Sequence, residues 1–247
     1  MIRKLSLFLS ALAVVFALAG CSQPADPTVS PQLPGPSGEL LQFSPVGADE
    51  TVAVIDTTMG TVTLRFFPDQ APKAVENFLS LAEQGYYNGV IFHRVIYDFM
   101  IQGGDPEGTG SGGESKWGTG FGEEISPELY HFRGALCMAK SSLPDSQGSQ
   151  FYIVTGDLTS SGMYDSTMQS LGYAQSVIDA YKEHGGYFGL DDLYLRTSKG
   201  SIGYTVFGQV ISGMDVVDAI SAVETNASDK PLADVVVNSV TVKKYSE

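Results

Sequence analysis

A succession of short β-like runs, most with no helix between them, limits this chain's fold more than any other feature. "TVAVIDTTMGTVTLRFF", from Thr51 to Phe67, holds two such runs around a Thr-Met-Gly turn, with Val62, Leu64 and Phe66 alternating against Thr61, Thr63 and Arg65. Further runs are "GVIFHRVI", "FMIQGG", "GALCMA", "SQFYIVT", "YTVFGQVI" and "DVVVNSVTV". Only two segments read as core-covering helices. "APKAVENFLSLAEQGYY" has Pro72 near its first turn, an apolar face of Val75, Phe78, Leu79 and Ala82, and Gly85 as its stop. "GMDVVDAIS" is the other. Without a βαβ rhythm, the pattern predicts a mainly β, antiparallel barrel.

One stretch departs from that plan. Residues 156–203 carry no strand pattern, and their middle, "AQSVIDAYKEHGG", reads as a helix closed by Gly185. So long a segment in a compact barrel predicts an elaborated surface insertion.

The N-terminus has the order of an export signal over residues 1–20: basic "MIRK", then apolar "LSLFLSALAVVFALAG". "LAGC" resembles the bacterial lipobox, in which the cysteine, here Cys21, is acylated and becomes the first mature residue. An ordinary cleaved signal and a short membrane anchor are the alternatives, although the run is short for a span. Residues 21–49 are rich in proline and predict a semi-rigid spacer between the membrane and a domain over 50–247. The expected location is extracytoplasmic, lipid-anchored to a bacterial membrane.

The net charge is −14, and losing Arg3 and Lys4 with the leader makes it more negative. Such a surface repels phosphate backbones, so no nucleic-acid partner is expected. After Cys21 only Cys137 remains, so no internal disulfide can form, and its apolar run "GALCMA" predicts a buried, inert thiol. His93, His131 and His184 lack ligand spacing, and no metal site is expected. No Gly-x-Ser-x-Gly elbow is present. "GTGSGG" has dinucleotide-loop spacing, but "ESKWGTGFG" follows where a helix should start. No cofactor is expected.

The chemistry then concentrates in "IFHRVIYDFMIQGGDP", from Ile91 to Pro106. Strand alternation predicts Phe92, Arg94 and Ile96 on one face, with His93 on the other as a hydrogen-bonded scaffold residue. Arg94 is either an edge or ion-paired arginine, or a fixed charge set deliberately among Phe99, Met100 and other apolar side chains. In "GALCMAKSSLPDSQGSQFYIVT", Gln150 shares a face with Tyr152, and Ala139 with Ser141. That pattern predicts a shallow groove with an apolar floor and amide hydrogen bonding.

Together, "FHRVIYDFMIQGGDP", "GALCMAKSSLPDSQGSQFYI" and "YTVFGQVISGMDVVDAI" resemble the cyclophilins, the peptidyl-prolyl cis-trans isomerases, in consistent order between about Val52 and Val242. The resemblance implies a closed, eight-stranded antiparallel barrel capped by two helices. It makes Arg94 the catalytic arginine and puts Phe99, Met100 and Tyr152 around the substrate proline. Gln102 and Gln150 would bind the substrate backbone, and Ala139 would floor the neighbouring groove. Tyr204 would stand at the pocket rim and Leu190 would supply a further apolar wall, with Gly189 where relatives often place an aromatic. Tyr152 replaces a common phenylalanine, and Lys140 a common asparagine. The implied partners are proline-containing polypeptides, among exported or surface proteins, handled by a monomer. A proline-recognising holdase with little turnover is the alternative.

Overall fold

The computed structural model describes residues 40–246; the signal segment, Cys21 and most of the proline-rich spacer lie outside them. Among the described residues no helix is long and apolar enough to cross a membrane.

Eight strands form one antiparallel sheet: β1 (Thr51–Thr57), β2 (Gly60–Phe66), β3 (Arg94–Ile96), β4 (Met100–Gly103), β5 (Ala135–Met138), β6 (Phe151–Val154), β7 (Val206–Ser212) and β8 (Val237–Lys244). Their spatial order is β3-β4-β6-β5-β7-β2-β1-β8. The expected closed barrel is instead a half-barrel with β3 and β8 at its two ends. The physical reason lies in what adjoins β3. That strand has only three residues, and Val95 N–H donates to Asp229 O in a turn (2.7 Å) rather than to a strand. Among the described residues, only the isolated bridge Ile91↔Val236 and neighbouring backbone hydrogen bonds link the two edges.

The β1–β2 hairpin turns over Thr58 and Met59, where Thr57 Oγ1 donates to Gly60 O at 2.7 Å. Helix α1 (Pro72–Glu83) closes one end of the barrel interior with Ala74, Val75, Phe78 and Ala82 buried; Leu79 is only half-buried and Leu81 takes its place. Ala71 offers no side-chain cap. Glu124, distant in sequence, accepts from the Lys73 and Ala74 N–H groups at 3.1 and 2.9 Å, placing a carboxylate where the helix dipole favours one. Phe78 is the centre of the core, with ring centroids 5.0 Å from Tyr87, 5.4 Å from Phe151 and 5.5 Å from Phe66.

Five α-helices are present among the described residues, including both segments expected to cover the core, α1 and Met214–Ser221. Residues 156–203 contain α2 (Asp165–Leu171), α3 (Gln175–His184) and α4 (Asp192–Lys199), and α5 (Met214–Ser221) follows β7. The expected helix is α3, ending at Gly185 (φ 76°). With Phe132, Tyr173, Ile178, Tyr181 and Phe188, this segment builds a second apolar cluster outside the sheet.

Folded structure starts before the expected boundary at residue 50. Leu41–Phe43 form a turn of 3-10 helix, and Gln42 is buried, exchanging hydrogen bonds with the Tyr130 backbone and with Gln209 (2.8 to 3.0 Å). Arg65 clamps the same strand of chain, donating to Ser44 O at 2.6 Å and to both Glu50 oxygens at 3.0 Å.

Candidate active site

The pleat of the sheet builds the site. In β4, Ile101 points into the barrel core, while Met100 and Gln102 point outward; in β6, Phe151 and Ile153 point in and Tyr152 points out. Register pairs Arg94 with Gln102 and Gln102 with Tyr152, so the three stand in one row on the outer face. A slip of one residue would turn all three inward. Gly104 ends β4 with φ 89°, and a Cβ there would lie 2.5 Å from Ser149 O, so only glycine fits this turn.

Eight of the nine substrate-site residues expected from sequence line one open cleft of about 300 Å³: Arg94, Phe99, Met100, Gln102, Ala139, Tyr152, Leu190 and Tyr204. Gln150 sits in the adjoining hollow, which shares Gln102 and Ala139 with the cleft. Gln102 Nε2 donates to Gln150 Oε1 at 2.9 Å, and Gln150 Nε2 donates to Gly112 O at 2.8 Å. The amide pair is thereby fixed to the glycine-rich loop, with Gln102 Oε1 left to accept. Met100 and Tyr152 are buried in the floor, and Phe99 is half-buried.

Two local expectations need correction. Phe92 and Arg94 do not share a face: Phe92 joins the interior core, because regular pairing begins only at Arg94 and the Phe92 N–H is drawn to Val235 O at 3.0 Å. His93 instead lines the cleft beside Arg94, buried, and neither ring nitrogen has a hydrogen-bond partner. Burial lowers the pKa of this imidazole, against an opposing pull from Asp105.

Lys140 lines both the cleft and the adjoining hollow, with its ammonium tied to the rim. Its Nζ donates to Glu123 Oε1 at 2.8 Å and Ile202 O at 3.0 Å, and lies 5.0 Å from the Tyr204 ring centroid. Burial raises the Glu123 pKa, but the Lys140 hydrogen bond and charge bring it below the usual carboxylate range. Cys137 is fully buried, and burial pushes its thiol pKa well up, so it stays an unreactive thiol.

The arrangement has an apolar pocket, paired amides and one guanidinium. The family model for cyclophilin type peptidyl-prolyl cis-trans isomerases matches residues 52–242. The chain belongs to that family. It is an isomerase. A Staphylococcus epidermidis protein named as a peptidyl-prolyl cis-trans isomerase is 43% identical over 196 residues, covering 79% of this chain and 93% of its own. A Streptococcus pyogenes protein named as a bifunctional phosphatase/peptidyl-prolyl cis-trans isomerase is 45% identical over 190 residues; the match spans 76% of this chain and 38% of that one. A crystal structure of a Cryptosporidium parvum cyclophilin in the presence of the dipeptide Ala-Pro is similar, with a TM-score of 0.60 and 32% identity, over 78% of this chain and 99% of that one.

Residues that the sequence pattern did not single out also lie at the cleft of this cyclophilin. Thr109, Gly110 and Ser228 line the cleft, and Asp229 Oδ2 approaches Arg94 Nε at 3.4 Å. Tyr187 packs its ring 4.7 Å from that of Phe99, filling space beside Gly189, which carries no aromatic of its own. A tyrosine two residues before a glycine, on an irregular segment, gives no periodic signal that could have found it.

Proposed function

We propose that the outer-face cleft accelerates rotation about X–Pro bonds in exported or surface polypeptides. Rotation faces a barrier of roughly 18–20 kcal/mol, because the nitrogen lone pair is conjugated with the carbonyl. Uncatalysed X–Pro bonds interconvert over tens of seconds or longer. Phe99, Met100, Tyr152 and Leu190 grip the proline ring. Gln102 and Gln150 hold the backbone before it, and Ala139 leaves room for the neighbouring residue. When the bond twists, conjugation is lost and the prolyl nitrogen becomes a hydrogen-bond acceptor for the Arg94 guanidinium. That contact is available mainly in the twisted state, so it lowers the barrier instead of only tightening binding. The convergence of Arg94 with Phe99, Met100, Gln102 and Tyr152 in one cleft carries this reading.

In this proposal the chain works as a monomer, tethered outside the cytoplasm through acylated Cys21, and assists folding of its clients. Residues 156–203 are an insertion that elaborates the site. The deciding assay compares proline isomerisation by the wild type with that by Arg94→Ala. Equal rates at the uncatalysed level would favour a holdase. Separately, Cys21→Ser should release the protein from membranes, and retention would count against the lipid anchor.

A further inference from the structure

Behind the cleft runs a buried polar chain that the isomerase chemistry does not itself require. Tyr152 Oη lies 3.1 Å from His131 Nε2, and His131 Nδ1 lies 2.8 Å from Asp191 Oδ1. The same Oδ1 accepts from the His131 backbone N–H at 2.9 Å, while Oδ2 accepts from Tyr173 and Tyr181 hydroxyls at 2.9 and 2.8 Å. Tyr152, His131 and Asp191 are each at least nine-tenths buried. A carboxylate with four donors around it stays an acceptor. It therefore accepts a hydrogen bond from Nδ1–H of His131, which leaves Nε2 to accept from the Tyr152 hydroxyl.

Both ends of this chain matter. One is a ring in the floor of the cleft. The other comes from residues 156–203, which enter the site through consecutive residues: Leu190 lines the cleft and Asp191 anchors the chain behind it. Tyr204 meets the rings of Tyr152 and His131 edge-on, with centroids 6.0 and 6.4 Å away.

We propose that His131 and Asp191 are positioning residues of the isomerase, fixing the tilt and depth of the Tyr152 ring through its hydroxyl and so making segment 156–203 a working part of the proline pocket. A tyrosine ring held only by packing can pivot about its side-chain torsions; a hydroxyl tether at its far end removes that freedom. Small displacements of a group that positions the reacting bond reduce turnover strongly. The proposal rests on the cleft being the site of isomerisation.

The test is a double-mutant cycle in the full chain, read as kcat/KM on an X-Pro peptide, with folding followed by circular dichroism and melting temperature. Tyr152→Phe and Asp191→Asn should each lower kcat/KM about tenfold, and the double variant should be no worse than the poorer single one, since both cut the same tether. His131→Phe, which keeps a ring and leaves Asp191 its two tyrosine donors, closes the same cycle if Asp191→Asn does not fold. Losses that multiply would overturn the proposal, as would a variant that melts earlier while its kcat/KM holds. Arg94→Ala separates the two ideas: wild-type activity in that variant refutes the reading of the cleft, whereas multiplying losses refute only the tether.

Discussion

Arg94 Nε lies 3.4 Å from Asp229 Oδ2, with both side chains a little under half exposed. Arg94 is thus both things its sequence setting allowed, an ion-paired edge arginine and a charge facing an apolar cleft. The pairing uses Nε and leaves the two terminal nitrogens for the substrate. Arg94→Ala should lower kcat/KM about a hundredfold to a thousandfold, the range for losing one preorganised donor. Arg94→Lys should recover little, because a point charge lacks the planar fork. Asp229→Asn should cost no more than about fivefold, since exposed pairs contribute up to about 1 kcal/mol. A coupled proline-peptide assay reads all three; an Asp229→Asn loss as large as that of Arg94→Ala would assign the effect to the carboxylate.

Lys140 holds the end of segment 156–203 against the strand face through Glu123, Ile202 O and the Tyr204 ring. Its ammonium is therefore engaged at the rim of the cleft. Lys140→Ala should raise KM about two- to fivefold with kcat little changed, the size expected from losing a cation–π contact at a part-exposed site. A fall in kcat with KM constant would instead place Lys140 in the bond-rotation step.

The sheet was legible because alternation is a local property: Val62, Leu64 and Phe66 read as inward-facing and all are buried. The cleft residues were legible through the family resemblance, since nothing in the spacing alone brings Leu190 and Tyr204 to Arg94. What escaped falls where the backbone is irregular. Phe92 and His93 precede the first paired residue of β3, so a period of two misassigned both. Asp191 and His131 are far apart in the chain and meet only because the second apolar cluster packs Phe188 and Tyr181 against Phe132. The closed barrel failed for a related reason: a three-residue strand beside a turn cannot propagate a ladder to β8.

The stretch from Leu40 to Glu50 should behave as part of the domain. Gln42 is 3% exposed and satisfies both Tyr130 backbone groups and Gln209 Oε1. Gln42→Ala leaves these groups buried without partners and should destabilise the fold by about 1–3 kcal/mol. Urea unfolding should show a lower midpoint with an unchanged slope. An unaltered midpoint would return this stretch to the spacer.

Asp105 organises the glycine-rich side of the cleft. Its Oδ1 accepts from Glu107 N–H at 2.9 Å, and its Oδ2 from the N–H groups of Thr109, Gly110 and Gly112 at 3.0, 2.7 and 3.2 Å. Burial alone would raise its pKa, yet these backbone donors bring it below the ordinary value of 3.8. A carboxylate depressed on folding adds stability at every pH above its unfolded value, and loses that contribution as pH falls through the lower folded one. Asp105→Asn should therefore be less stable than the wild type by about 2 kcal/mol at pH 7. The gap should hold down to about pH 4 and narrow below it, as the wild-type carboxylate takes up its proton. Urea midpoints of both proteins between pH 7 and pH 3 measure this directly. A gap that stays constant through that acid window would mean that the loop depends on the shape of the side chain, not on its charge.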